Sequence, residues 1–499
     1  RLLWIALPAL ASLLLLAATN QACQNVAVVP LLWVVPLALY LLTFIICFDH
    51  ERWYRRRPYC AIAAVLVFLS AGGADWLSDA IPALIPSIDA KSFGLNFIQE
   101  RILYFATMFM VCMVCHGELV RLRPAARHLT EYYLMIAAGG ALGGALVSLI
   151  APRIFPGYWE WNIALIVSLA VAGAYWLRSG GARAKSRQTP EISIAAPSKL
   201  LVLATIAQPI RALAVTAGLI VVAIWQWQAM TPAAANIHQR RNFYGVVKVY
   251  DYQDERGHIR LFKNGGVSHG RQWVSDNPAK RRLATAYYAP ETGAGRAIRF
   301  FQHKSGMRVG VVGLGVGTLA TYGIKSGQTI KFYEINPEVV SIAKGFFTYL
   351  KDCDGHAEIA LGDARLTLEA EPPQNFDVLV LDAFSGDAPP AHLLTREAFA
   401  LYRRHLKPDG IIAVNIKNRY VRLAPVVKAA ADAEGFRTTR IWTDEDKNRL
   451  LYEVDYMLLT NNDEFLKQTP PILAPGDNGQ FEPILWTDHF NNLLRLLMR

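Results

Sequence analysis

Three glycines, one glutamate and three aspartates have the types and spacing to do chemistry. Gly313, Gly315 and Gly317 alternate along "RVGVVGLGVG", an apolar run that leads into a helical pattern. Glycines so placed let a backbone turn tightly and approach a ligand at the N-terminal end of a helix. Glu334 closes the next apolar run, "TIKFYEIN", about twenty residues on, where a carboxylate can accept both hydroxyls of a ribose. Asp363, in "LGDAR", ends a third run, where it can accept from an adenine amino group. No Lys-Ser or Lys-Thr directly follows the last glycine, where Thr318 and Leu319 stand instead, which excludes a P-loop. A dinucleotide would use the same glycines, but the ribose and adenine acids together point to an adenosine-containing ligand. Asp382 and Asp387 follow a fourth run in "LDAFSGDAPPAHLLT", at the sheet edge where ligands of open α/β folds bind. Two acids in one such loop can hold a cation or take a proton from an amine. Asp387 also suits a plain turn cap before Pro389 and Pro390, a reading that fits it better than Asp382.

The elements that must position these residues are legible as strands separated by helical periods. "RVGVVGLG", "TIKFYEIN", "AEIALGD", "FDVLVLDAF" and "GIIAVNI" imply a mostly parallel sheet covered on both faces. Upstream, "NFYGVVKVYDYQDERGHIRLFKNGGVSHGRQW" alternates apolar and polar residues between Gly-containing turns, a small antiparallel sheet. The expected domains are 1–230, a multi-pass α-helical membrane domain; 231–300, a small antiparallel β domain; and 301–499, a Rossmann-like α/β domain.

The first half reads as lipid-embedded. Of 499 residues, 53% are apolar and only 18% charged, a lean toward membrane protein. Apolar stretches of membrane-crossing length fall near 2–19, 30–48, 59–76, 101–118, 130–151, 161–177 and 200–229. The net charge of +11 is uneven: from Thr231 onward 34 Lys and Arg face 30 Asp and Glu, leaving 17 against 10 before it. That excess sits in "DHERWYRRRPY", "RLRPAARH" and "RSGGARAKSRQ", so it reports membrane orientation, with these loops cytoplasmic, and not nucleic-acid binding. "AAGGALGGAL" spaces Gly139 from Gly143 and Gly140 from Gly144 for close helix packing. "CMVCH", Cys112 to His116, matches a c-type haem attachment pattern, but inside an apolar helix buried thiols are the favoured reading over haem. His116 and Glu118 are expected at a solvated helix end. The chain opens on Arg1 rather than Met, which implies residues, and room for further spans, upstream. Arg178 to Lys199 reads as a linker. The run from Leu200 to Met230 crosses once by charge counting, or turns back at "AQPIR" within a 192–229 hairpin that keeps the C-terminal domain cytoplasmic.

From Asn242 to about Thr460 the chain resembles the spermidine synthase (polyamine aminopropyltransferase) family. Nearly all of it resembles the membrane-fused spermidine synthase-like proteins of bacteria. "PLLWVVPLALYLLTF", "CHGEL", "HLTEYYLMIAAGGALGG", "RNFYGVVKV", "GLGVGTLATYG", "FYEINPEVV", "LGDAR" and "DAFSGDAPPAHLLTREA" carry this likeness. The resemblance implies a class I S-adenosylmethionine-dependent transferase fold taking decarboxylated S-adenosylmethionine or S-adenosylmethionine. It implies cofactor contacts from Gly313, Gly315 and Gly317, ribose on Glu334, adenine on Asp363, Gln272 facing the cofactor's amino-acid tail, and Asp382 as base. It places Tyr287 or Tyr288 as the active-site tyrosine, with Asp387 on the acceptor side. Departures are visible too. "KNGGVSHGRQ" has Asn264 where an acid is expected and extra residues before Gln272, and "YYAPE" lacks the family's His. A dication needs carboxylates or aromatic faces to replace its water, so these departures weaken putrescine as acceptor.

Three readings follow: a membrane-anchored aminopropyl or alkyl transferase acting on a small amine; a methyltransferase with a membrane-borne acceptor; or a non-catalytic subunit of a membrane complex. The expected surroundings are membrane lipids, a bacterial inner membrane with the C-terminal domain favoured on the cytoplasmic side, and a second copy or a complex partner.

Overall fold

The computed structural model describes residues 1–23, 30–84, 96–185, 199–383, 390–418 and 421–496. Two compact units emerge, Arg1–Cys23 with Pro30–Pro232, and Ala233–Arg499.

The first unit is helical. Among the described residues six stretches are long and apolar enough to cross a membrane: Leu2–Ala22, Arg56–Ser78, Ile98–Arg121, Ala126–Ile154, Trp159–Arg178 and Pro209–Met230. Trp33–Asp49 is apolar but shorter. Gly139 and Gly143 face the first helix so closely that an added Cβ would lie 2.3 Å from the Ile5 carbonyl oxygen and 2.2 Å from that of Ala9. This is the close backbone approach that small residues four apart permit. Gly140 and Gly144 have no such contact. Cys112 and Cys115 are fully buried thiols in the helix Phe97–Arg121.

Three expectations change here. Lys199–Met230 is one continuous helix with Pro209 inside it, so the chain does not turn at "AQPIR"; 192–198 lie outside the described residues. A proline removes one backbone donor, and the surrounding Ala and Leu are strong helix formers. The linker also shrinks, because the helix Trp159–Lys185 runs through its first residues. Finally, His116 and Glu118 are buried, not solvated. Glu118 accepts from Tyr54 Oη at 2.9 Å and Arg56 Nε at 2.6 Å, and His116 Nδ1 lies 3.0 Å from Thr43 Oγ1. A carboxylate can be buried here because a guanidinium and a phenol replace its water.

The second unit holds two sheets. Strands β1 (Asn236–Asn242), β2 (Gly245–Asp254), β3 (Gly257–Asn264) and β4 (Val267–Trp273) form an antiparallel meander in sequence order. Two-residue turns connect them, and the first strand, "NIHQRRN", begins ahead of the alternating pattern read from the sequence. The larger sheet contains β5 (Arg308–Val312), β6 (Thr329–Glu334), β7 (His356–Leu361), β8 (Phe376–Leu381), β9 (Leu406–Asn415), β10 (Arg437–Thr443) and β11 (Val454–Thr460). Their order is β10-β11-β9-β8-β5-β6-β7, with β11 antiparallel to both its neighbours, β10 and β9, and every other pair parallel. This is a Rossmann-like mixed sheet. All seven residues of β11 and all six of β8 are buried, as strands covered on both faces must be. The order reverses between β5 and β8, and at such a switch point the strand ends leave a crevice.

One local element departs from its expected form. After Gly317 the chain makes only a 3₁₀ turn, Thr318–Tyr322, where the pattern implied a helix. Gly323 ends that turn, and β6 begins at Thr329, which leaves no length for a helix.

Candidate active site

The crevice is built by backbone first. Gly313, Gly315 and Gly317 have φ of +99°, +53° and +82°, a region that side chains with a Cβ rarely enter. A Cβ on Gly313 would sit 2.6 Å from the Asp382 carbonyl oxygen, and one on Gly315 2.7 Å from that of His269. The glycines therefore let β5 pack its exit against both β8 and β4. Gly317 lies just behind, at the start of the 3₁₀ turn.

Around this loop lies a cavity of about 300 Å³ whose walls include Gly313, Gly315, Glu334, Asp363 and Asp382. Five of the residues singled out in the sequence thus meet at one place. Glu334 ends β6 and is held by two backbone donors, Leu314 N at 3.0 Å on Oε2 and Asn336 N at 2.8 Å on Oε1. Each oxygen keeps lone-pair capacity beyond these bonds. Burial pushes the Glu334 carboxyl up, and the backbone hydrogen bonds pull the other way. Asp363 follows β7 and caps the helix Ala364–Ala370, its Oδ1 accepting from Leu366 N at 3.1 Å. Its Oδ2 is 3.0 Å from His392 Nε2.

Asp382 leaves the end of β8. Tyr288 Oη donates to its Oδ2 at 2.5 Å and Asn415 Nδ2 to its Oδ1 at 2.9 Å. Burial raises its pKa from an ordinary 3.8 to about 6, against the lowering effect of those two donors. Such a carboxyl is ionised at neutral pH yet basic enough to hold a proton briefly. A second cavity of about 630 Å³ shares Asp382, Gly315 and His269 with the first. Tyr287 and Tyr288 both line it, and Tyr287 Oη donates to the Ser268 carbonyl at 3.0 Å.

Not every expected residue arrives. Gln272 is absent from both cavities: its amide donates to Thr348 Oγ1 at 2.8 Å and accepts from Thr348 N at 3.0 Å. The cause is a register shift in the β3–β4 pairing, where Phe262 faces Gly270 but Lys263 faces Ser268. That bulge leaves His269 unpaired and, instead of Gln272, puts it on the wall of both cavities, its Nε2 shielded and without a partner among the described residues. Burial lowers the His269 pKa to about 4, so the imidazole is neutral at pH 7. Asp387 lies outside the described residues. Sequence reasoning missed His269, Asn415 and Arg271. Asn415 had a signal, since it ends "GIIAVN" at the same sheet edge; the extra residues before Gln272 were the only hint of His269.

No protein-family model matches the chain. It is 27% identical over 183 residues to a polyamine aminopropyltransferase of Vibrio vulnificus, covering 36% of this chain and 58% of that one. It is 32% identical over 190 residues to an N-terminal histidine N-methyltransferase of Emericella nidulans, covering 34% and 32%. The chain thus spans about half the length, or less, of these relatives. A solved spermidine synthase in complex with the transition-state analogue AdoDATO is similar at 15% identity, TM-score 0.33, over 51% of this chain and 82% of that one. Both relatives are, by name, transferases.

Proposed function

We propose that this chain is a membrane-anchored transferase of bacteria that moves an aminopropyl or related alkyl group from an adenosyl sulfonium to a small amine. The observation that carries it is the position of Asp382: one buried carboxylate on the wall shared by the adenosine-sized cavity and a second, open one. The residues present fit the cofactor. Glu334 would take the ribose on its uncommitted lone pairs and Asp363 the adenine, beside a loop whose positive-φ glycines pack too closely on β8 and β4 to carry a Cβ. A bound sulfonium supplies a carbon that an amine can attack, its bond to sulfur breaking with the electron pair left on sulfur.

The chain's own part is alignment and proton removal. Holding the amine against the shared wall replaces a bimolecular encounter, a large share of any rate gain. Asp382 accepts the amine's proton as the nitrogen–carbon bond forms, worth roughly 10²- to 10⁴-fold. Tyr288 and Asn415 hold that carboxylate in place and spread its charge. A methyl transfer would use the same groups, a second reading favoured by the likeness to a histidine methyltransferase. The full chain, given either sulfonium with a panel of amines, should release 5′-methylthioadenosine for aminopropyl transfer or S-adenosylhomocysteine for methyl transfer. Release of neither, with the cofactor bound, would favour the non-catalytic subunit.

A further inference from the structure

The second cavity has a charge pattern that bears on its occupant. Among the described residues its carboxylates are Asp382, held by Tyr288 and Asn415, Glu453, paired with Lys417, and Glu445, exposed at the rim 4.0 Å from Lys447. Lys417 is further held over the Trp442 ring at 4.4 Å. Two other cations on the wall, Lys263 and Arg271, make no ion pair among the described residues.

Arg271 is also fixed in direction. Its guanidinium lies 3.8 Å over the Tyr452 ring, and its Nε donates to Tyr452 Oη at 2.8 Å. Tyr452 in turn donates to Ser268 Oγ at 2.7 Å and packs 5.1 Å from Tyr287. Among the described residues only Nε is engaged, so both terminal nitrogens keep their donors. The neighbouring Gln272 turns to the opposite face of β4 toward Thr348, as strand alternation requires. A half-buried guanidinium held flat by an aromatic ring is a fork preset for a planar anion, and the second ammonium of a diamine would meet like charge there.

We propose that Arg271 receives an anionic group, carboxylate or phosphate, carried by the acceptor amine, so that the acceptor is an amino acid or an aminoalkyl phosphate and not a diamine. This rests on the transferase reading of the same site. Asp382 faces the amine end and Arg271 the anionic end of one bound molecule.

The test is calorimetry on the full chain in detergent, saturated with 5′-methylthioadenosine and titrated with 4-aminobutyrate, O-phosphoethanolamine or putrescine. One of the two anionic amines should bind at least tenfold more tightly than putrescine, and which one does so assigns carboxylate or phosphate. Arg271→Gln should abolish that preference while 5′-methylthioadenosine affinity is kept; Arg271→Lys, which keeps the charge but not the fork, should restore part of it. Tighter putrescine binding, no binding of either anionic amine, or a preference unchanged in Arg271→Gln would each overturn the proposal. So would a loss confined to S-adenosylmethionine and sparing its decarboxylated form, which would assign Arg271 to the donor. Turnover separates the two levels. Anionic amines bound through Arg271 without product release refute the transferase and leave only an anion-binding site at Arg271; turnover of putrescine alone upholds the transferase and refutes this inference.

Discussion

Glu334→Gln isolates the ribose contact. Each Glu334 oxygen already accepts one backbone N–H, leaving each with capacity for one ribose hydroxyl. Glutamine keeps one acceptor oxygen, so one hydroxyl keeps a neutral bond and the other loses a charge-assisted one. Hydrogen bonds to charged groups contribute about 1.5–3 kcal/mol, which corresponds to a loss of roughly ten- to hundredfold in affinity. The new amide also confronts either Leu314 N or Asn336 N, donor to donor, at a cost of about 1–3 kcal/mol in stability. Calorimetry at pH 8 on the full chain should show 5′-methylthioadenosine weakened by that factor. Its 2′,3′-dideoxy counterpart should bind both proteins alike, and the thermal midpoint reports the stability cost separately. Equal losses for both ligands would mean that the mutation damages the cavity and not a ribose contact; no loss for either would remove Glu334 from the site.

Asp382→Asn should keep 5′-methylthioadenosine binding and lose turnover, and full activity would rule out the base. Because the folded pKa is raised from 3.8 to about 6, the wild type's stability contribution from Asp382 is fully present below about pH 4 and is lost as pH rises through 6. The variant should therefore gain up to about 3 kcal/mol on wild type between pH 4 and pH 8, read as a pH-dependent difference in thermal midpoint; wild-type turnover should rise through pH 6. Gly315→Ala combines a positive φ with a 2.7 Å contact to the His269 carbonyl, so it should lower the thermal midpoint of the second unit and abolish adenosyl binding, and a variant that binds normally would refute the close packing. A single crossing by Lys199–Met230 puts cysteines introduced at Ala184 and Gly257 on opposite faces, so a membrane-impermeant reagent should label only one in intact cells. Protection of both would refute the single crossing, and labelling at 257 alone would shift the balance to the non-catalytic reading, because the cofactor is made inside cells.

The strand ends were legible without coordinates because a buried parallel strand must be apolar throughout and stops where polar ligand-facing residues begin. Hence Glu334, Asp363 and Asp382 could be placed from pattern alone, along with the glycines between them. The four-residue spacing marked two glycine faces, 139/143 and 140/144, and only the structure shows that the first one packs closely. What the pattern left open depended on register and on neighbours distant in the chain. A single bulge in β4 exchanges Gln272 for His269 at the cavity wall, and no local property distinguishes a bulge from a regular hairpin. Strands β10 and β11 lie at one end of the larger sheet, and only the pairing of β11 with β9 and of β10 with β11 shows where they belong. Glu118 looked solvated because it sits at the end of its apolar span, but Arg56 and Tyr54, some sixty residues away, supply what water would have. The sequence by itself determined which acids and glycines end together at one sheet edge; the tertiary structure decided which carboxylate faces a second cavity and which cations on its wall have no ion pair among the described residues, because burial and pairing are properties of contacts between remote segments.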